Sequence, residues 1–387
     1  MSDATNFSMP EVDHVKEFLL NESYLLNCSH PDIFNVTQAA PIQYASVMYG
    51  GIMPILVAVT LLANSLIIAV LTRRHMKTPT NLVLLWMAIA DLLTLLSPAP
   101  WYFYMYTMGY HSVLLNGSFL CYVYNVMTEH VPILLHNSSI WLTILLAAQR
   151  YIYICHPTLA KTLCTIPKVN RAVVTIFIAS ISVQASRFFD TQYESVTCAD
   201  DQNMATTACL QKVSSWVTRP EIYFPLYFGF RIVFVNLGPC IALVILNVLL
   251  FSALQRAQKT RLKLLQDGNA SSRKKRNDLS NSTTYMLIVV VSVFLCVEIP
   301  MAIATIIHLL VNMEIITFEG DSHRPFTQIT VLLVNFIIML SFPLNFAIYC
   351  GMSAQFRNTF KALFVGRLFN QRLNGSQSQA VPPDCNT

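Results

Sequence analysis

A chain of 387 residues that is 54% hydrophobic and only 12% charged departs from soluble globular composition. With a mean hydropathy of +0.51 it reads as membrane-embedded over most of its length. A formal net charge of +5 would suggest a nucleic-acid partner in a soluble protein, but here the charge is sorted between loops, which excludes that reading.

Residues 1–44 are polar and acidic, with Asp3, Glu11, Asp13, Glu17, Glu22 and Asp32 set against Lys16. They lack an apolar core behind a basic start, so no cleavable signal is read and the first span is expected to insert as its own signal. Asn6, Asn21, Asn27 and Asn35 occupy glycosylation triplets, as does Asn116 further on. The triplet is weak evidence alone, because Asn137, Asn269, Asn281 and Asn374 match it where no glycan can be added. Its crowding in the tail favours an extracellular segment.

Seven apolar stretches follow, at 45–72, 81–106, 119–154, 172–189, 222–254, 284–312 and 326–350. A hydrocarbon core needs about 20 apolar residues per helix, and inside lipid a span must satisfy its own backbone hydrogen bonds. Basic residues gather in the odd connections: Arg73, Arg74 and Lys77; Lys161, Lys168 and Arg171; Arg256, Lys259, Arg261, Lys263 and Arg273–Arg276. The even connections are neutral or acidic, so the N-terminus is expected outside and the C-terminus inside. From Met352 to Phe364 one helical face carries Phe356, Phe360, Leu363 and Phe364, with Arg357 and Lys361 opposite. That pattern predicts an amphipathic interfacial helix. The fold class expected is an all-α membrane protein: a tail over 1–44, a seven-transmembrane helix bundle over 45–350, an amphipathic helix over 351–366, and a disordered Gln/Ser-rich tail over 367–387.

Of ten cysteines, Cys28, Cys121, Cys198 and Cys209 fall outside, where disulfides form; the others stay reduced. Four cysteines allow three connectivities. No spacing suggests a metal site, and His136 and His308 are isolated, as packing histidines are.

Gln149-Arg150-Tyr151 closes the third span. Alone it reads equally as an arginine snorkelling at a helix end. It is joined by Asn64 in Ala-Asn-Ser-Leu, Asp91 in Ala-Ile-Ala-Asp-Leu-Leu, Pro239, Pro300 in Phe-Leu-Cys-Val-Glu-Ile-Pro, and Asn345-Phe-Ala-Ile-Tyr349. As a set these resemble the landmarks of rhodopsin-like G-protein-coupled receptors across all seven spans. Ala99–Tyr106, Ile140–Thr143, Gln149–His156, Arg187–Asp190, Leu287–Leu295 and Asn345–Met352 resemble a narrower group, the sex peptide and myoinhibitory peptide receptors of invertebrates. The tail, the Cys198–Ser215 region and the 255–282 loop give no firm match.

The resemblance implies a receptor in the plasma membrane for a short amidated neuropeptide with two tryptophans. It implies coupling to a heterotrimeric G protein of the Gi/o class, with arrestin and membrane lipid as further partners. It implies a Cys121–Cys209 disulfide, although Cys121 lies twenty-nine residues before Arg150, about one turn more than is usual; Cys198 could compete for Cys121 or pair with Cys28. Asp91, Ser139, Ser341 and Asn345 match positions that hold an allosteric sodium ion, the one cofactor implied. The alternative is a protonated Asp91 hydrogen-bonded to Asn345. Activation and coupling are assigned to Gln149, Arg150, Tyr151, Asn247, Phe294, Glu298, Pro300, Asn345 and Tyr349.

Three of these depart from the wider pattern. Gln149 replaces an acid, leaving Arg150 at best a neutral hydrogen bond, about half as strong as a charge-assisted one. Glu298 replaces the tryptophan two residues before Pro300. Asn247 replaces a tyrosine, and Phe346 replaces the proline of the last motif.

For ligand contact the sequence offers Trp101, Tyr102 and Tyr104, with Glu129, Arg187, Arg231 and His308. The aromatic residues also suit a membrane-interface belt, and a Glu129–Arg231 or Glu129–Arg187 ion pair is the alternative for the charges. An amidated peptide of another type (RFamide or myosuppressin-like) is the competing ligand. A transporter is the competing class, disfavoured because Asp91 and Glu298 are cut off by apolar turns and no internal repeat is visible. Lacking a lysine, the seventh span cannot carry a retinal Schiff base. No enzyme is read, for want of a nucleophile–base set.

Overall fold

The computed structural model describes residues 26–28, 30, 32–36, 41–199, 204–266, 288–289, 291–293, 295–307, 310 and 323–365. Asn6, Asn21, Phe294 and His308 lie outside the described residues, as do both expected terminal tails apart from 26–28, 30, 32–36 and 41–44, and the side chains of Asn345 and Tyr349.

Six helices are long and apolar enough to cross a membrane: α1 (Ile42–Leu71), α2 (Pro79–Thr107), α3 (Ser118–Cys155), α4 (Ile166–Phe188), α5 (Pro220–Arg256) and the Gln328–Ile348 part of α7. Helix α6 is described over Val291–Ile307, and α7 runs in full over His323–Met352. Each overlaps a stretch read from hydropathy. Helix α4 starts before its expected stretch, because its first two turns carry Lys168, Asn170 and Arg171 and so escape a hydropathy reading. Thr165 and Pro167 mark its start as a capping region and an N-terminal proline do. Helix α2 starts on the same logic, with Thr78 Oγ1 accepting from the Asn81 N–H at 3.1 Å and Pro79 opening the first turn.

Three spans change pitch just before a proline. In α1 the π turn Ser46–Ile52 precedes Pro54, in α3 Val126–His130 precedes Pro132, and in α5 Ile232–Leu237 precedes Pro239. A proline has no N–H to give and its ring presses on the carbonyl four residues back. Widening the preceding turn relieves both problems. The carbonyl freed at Gly50 is taken by Thr107 Oγ1 of α2, 2.9 Å away. Gly50 is required there, because a Cβ would lie 2.8 Å from the Tyr106 carbonyl oxygen. In α5 the Gly238 N–H reaches back to the Val233 carbonyl.

Between α4 and α5 the chain forms a hairpin, an element absent from the all-α expectation. Strands β2 (Thr191–Ala199) and β3 (Ala205–Val213) pair antiparallel, and the tail adds β1 (Leu26–Asn27) parallel to the end of β2. After α7, Ser353 caps α8 (Ala354–Phe360) by accepting from the Phe356 N–H at 3.2 Å. Phe356 is buried against α1 and α2, while Lys361 beyond the helix is exposed.

The apolar interior falls into two main clusters. One, at the hairpin end, centres on Tyr49, Tyr106, Tyr124, Tyr193 and Phe342; the other, at the opposite end, on Ile67, Met87, Leu146, Val173 and Phe356. Ile55, Leu62, Ile178, Leu226 and Val248 face outward, 59–68% exposed. So much outward apolar surface belongs in lipid.

Candidate functional site

At the hairpin end, Cys121 of α3 is joined to Cys209 of β3, and Cys28 of the tail to Cys198 of β2. Cys121, Cys198 and Cys209 are fully buried. The first staple closes β3 over the start of α3. Below it, Trp101 and Tyr102 of α2 turn inward. Trp101 meets Tyr124 edge-on at 5.5 Å, and Tyr102 stacks on Tyr49 at 4.5 Å. Tyr104 does not join them: it is 44% exposed and stacks on Tyr110 at 4.7 Å, on the belt side of the helix. The expected aromatic group is therefore divided between recess and belt. Tyr193 closes the recess from β2. Burial, then Glu129 nearby, raises its phenol above the usual range, and its hydroxyl has no hydrogen-bond partner.

The charged group lies beside this recess. Of the two pairings open from sequence, the structure forms Glu129–Arg187, at 3.5 Å. Arg187 also donates to Asp190, which is fully buried and accepts from Thr191 Oγ1 at 3.0 Å. The guanidinium sits 5.7–5.9 Å from the Phe224, Tyr227 and Phe228 rings, within cation–π range. Asp190 is thus a positioning residue that sequence reading left unassigned. The Glu129 side chain remains 48% exposed. Arg231 of α5 is not drawn into an ion pair among the described residues, and its Nε is buried without a hydrogen-bond partner.

Mid-bundle, Ser139 Oγ donates to Asp91 Oδ1 at 2.7 Å. Ser341 Oγ donates instead to the Ile338 carbonyl at 2.7 Å. Asp91 and Ser139 present adjacent hard oxygens, a donor set suited to a hard cation; among the described residues there is no cluster of three or more His, Cys, Asp or Glu. His136 is not the isolated packing histidine expected. Its Nε2 lies 2.9 Å from Glu298 Oε1, and Glu298 is 2% exposed. A buried acid of α6 thus finds a partner on α3. No local sequence signal could have found that pair, since neither residue has a charged neighbour within a helical turn of it.

Toward the opposite end, Asn247 Nδ2 of α5 donates to Ser292 Oγ of α6 at 3.0 Å, a link the usual tyrosine would not make in this form. Pro300 lies exposed within α6. Gln149 is 3% exposed and both amide atoms lack hydrogen-bond partners, so the neutral bond to Arg150 does not form. Arg150 Nε is likewise unpartnered; its guanidinium faces the Tyr153 ring at 5.9 Å. Arg150 lines a cavity of about 240 Å³ with Thr78, Asn81, Tyr153, Ser353 and Gln355. Tyr151 is half-buried beside His156.

A family model for the serpentine type 7TM GPCR chemoreceptor Srw matches residues 52–367. The chain is 43% identical to the Drosophila melanogaster Sex peptide receptor over 351 residues, 90% of this chain and 79% of that one. It is 37% identical to the Caenorhabditis elegans Sex peptide receptor-related protein 2 over 333 residues, 82% of this chain and 71% of that one. Similarity to the Drosophila melanogaster FMRFamide receptor is lower, 24% over 332 residues, covering 83% of this chain and 54% of the relative.

Proposed function

We propose, for a chain that belongs to the seven-transmembrane G-protein-coupled receptors, that its ligand is a short C-terminally amidated peptide bearing two tryptophans, and that it signals through Gi/o. As a member of that family it is a multi-pass membrane receptor and not an enzyme. The observation that carries the ligand reading is the juxtaposition under the hairpin of an aromatic recess with a half-exposed carboxylate. Trp101, Tyr102 and Tyr124 offer ring faces and edges, and Glu129, held by Arg187, offers an acceptor. Aromatic pairs contribute about 0.5–1.5 kcal/mol beyond the area they bury, so two anchored indoles would dominate affinity. A terminal amide donates to Glu129, whereas a free carboxylate is repelled by it.

In this reading the hairpin end is extracellular. Both disulfides lie there, as an oxidising compartment requires, and Cys155, Cys164 and Cys350 at the other end are free. The exposed Asn27 and Asn116 and the half-buried Asn35 stand on the same side, and with Asn6 and Asn21 they are the glycan acceptors. The segments 1–44, 45–350, 351–366 and 367–387 act as tail, bundle, interfacial helix and cytoplasmic tail.

Ligand binding favours the state whose opposite ends part, which needs only a difference in affinity between two states. The His136–Glu298 pair joins α3 to α6 beneath the recess and responds to the ligand first. Asn247, Phe294, Pro300, Asn345 and Tyr349 carry the change onward, and Gln149, Arg150 and Tyr151 receive the G protein, then arrestin. A sodium ion held by Asp91 and Ser139, with Ser341 and Asn345, would favour the resting state. Arg231 and His308 complete the polar side of the ligand site, and Tyr104 serves the lipid belt.

The test is a calcium or cyclic-AMP response in transfected cells challenged with twin-tryptophan amides, their free acids and tryptophan-free Arg-Phe amides. The twin-tryptophan amide should act at the lowest dose, through a toxin-sensitive Gi/o route. Trp101→Ala should raise the half-maximal dose roughly tenfold, and Glu129→Gln should narrow the gap between amide and acid. The FMRFamide receptor among the relatives favours the second reading, an Arg-Phe amide ligand. Equal activation by tryptophan-free amides would establish it and end the first.

A further inference from the structure

The tail before α1 belongs to the fold of the hairpin end. Leu26 and Asn27 pair with Cys198 and Ala199, and Cys28 is stapled to Cys198. The chain then crosses the hairpin to its other strand. The Asp32 carbonyl accepts from the Gln211 N–H at 2.8 Å, Ile33 forms an antiparallel bridge with Leu210, and the Phe34 N–H donates to the Cys209 carbonyl at 2.8 Å. Ile33 is 1% exposed and Val36 5%. A strap pinned to both strands, with Cys28, Ile33 and Val36 buried, is not a loose cover that an entering ligand brushes aside.

The strap delivers one ring into the recess. Phe34 meets Tyr124 edge-on at 5.6 Å and Tyr193 at 5.5 Å. Tyr124 in turn meets Trp101. The recess is therefore walled by aromatics from four separate segments: tail, α2, α3 and β2. Displacing Phe34 would break its backbone bond to Cys209 and re-expose Ile33 and Val36. Glu129, near enough to Tyr193 to raise its phenol further, is 48% exposed and offers the approach that Phe34 does not.

We propose that Phe34 is a ligand-recognition residue supplied by the N-terminal tail, and that the Cys28–Cys198 staple is the positioning device that holds it in the aromatic wall. A ligand entering from the Glu129 side meets Phe34 with its aromatic end while its polar end rests at the Glu129–Arg187 pair. This rests on the recess being the peptide site. On this proposal Cys28 and Cys198 act on affinity through a ring.

Full-length receptor is compared as wild type, Phe34→Leu, Phe34→Tyr, the Cys28→Ser/Cys198→Ser pair, and that pair combined with Phe34→Leu. The probes are a twin-tryptophan amide and an Arg-Phe amide, with surface labelling as the control for expression. Leucine keeps apolar volume and loses the ring, so a merely structural Phe34 would tolerate it. The expected result is a roughly tenfold higher half-maximal dose for Phe34→Leu, near-wild-type potency for Phe34→Tyr, a similar shift for the cysteine pair, and no further shift on combining them. Wild-type potency in Phe34→Leu overturns the proposal, as does a combined variant whose shift is the product of the separate ones. If wild type answers only the Arg-Phe amide, the ligand reading fails by itself, and the same comparison made with that peptide still decides the role of Phe34.

Discussion

The two ends of α3 are built to opposite standards of satisfaction. At the hairpin end, Cys121 is cross-linked, Tyr124 touches two rings, and Glu129 is engaged by Arg187. At the other end, Gln149 keeps both amide atoms unpartnered in a buried position, and Arg150 has an unpartnered Nε beside a cavity. A buried polar group without a partner costs about 1–3 kcal/mol. One helix thus gathers its cross-link, ring contacts and ion pair at one end, where His130 Nδ1 is buried without a partner, and leaves three such atoms on Gln149 and Arg150 at the other. The difference teaches that a ligand surface gains from being assembled beforehand, whereas a coupling surface gains from bonds still to be made.

The sharpest way to break this contrast is at the disulfide. Cys121→Ser or Cys209→Ser should abolish surface expression or specific binding. On the chain-entropy account, removing a link that closes an 88-residue separation costs about 4–5 kcal/mol. Binding-site counts on intact cells check it, and normal counts would mean that the hairpin is held without its staple. Arg150→Ala comes next. It should remove nucleotide exchange on the G protein while leaving peptide affinity within about threefold, because the two ends share a helix but no contact.

Between the ends, His136→Ala should strand Glu298 and cost roughly 3–5 kcal/mol. His136→Leu with Glu298→Leu should recover most of that loss, since an apolar pair of similar volume replaces a buried ionic one without penalty. Melting of purified receptor followed by thiol-reactive dye reports both, and a double variant no more stable than the single would deny the coupling. The smallest effect is expected from Gln149→Asp. Restoring an acid beside Arg150 should lower ligand-free signalling a few-fold, read as basal cyclic-AMP change at matched expression. Unchanged basal activity would show that Arg150's open bonds do not govern the resting state.

The spans were legible because twenty apolar residues in a row leave a chain no other use. The hairpin was missed although its cue is present: Thr191–Ala199 and Ala205–Val213 are rich in Thr, Val and Tyr around the polar Asp200–Asn203 link. Four cysteines could be placed on one side by charge, yet only the folded hairpin chooses Cys28–Cys198. His136 and Glu298 were each visible as oddities, but pairing them requires knowing how α3 faces α6. Phe34 gave no signal at all, being one of several scattered aromatics in a polar tail. The aromatic run after Pro100 was read as suiting both ligand and belt, but sequence spacing does not show where a helix changes pitch, and there Tyr104 parts from Trp101 and Tyr102.

That change of pitch constrains how the gene can vary. A π turn holds one residue more than the α turn it replaces, and an α-helix advances about 100° per residue. Deleting a single codon within Val126–His130 would close the turn, set the carbonyl of the preceding turn against Pro132, and swing Cys121 about a quarter of the way around the helix from Cys209. Substitutions in that stretch change one side chain. A frame-preserving deletion re-aims every residue between Ser118 and the turn, so the length of this segment is held more tightly than its composition.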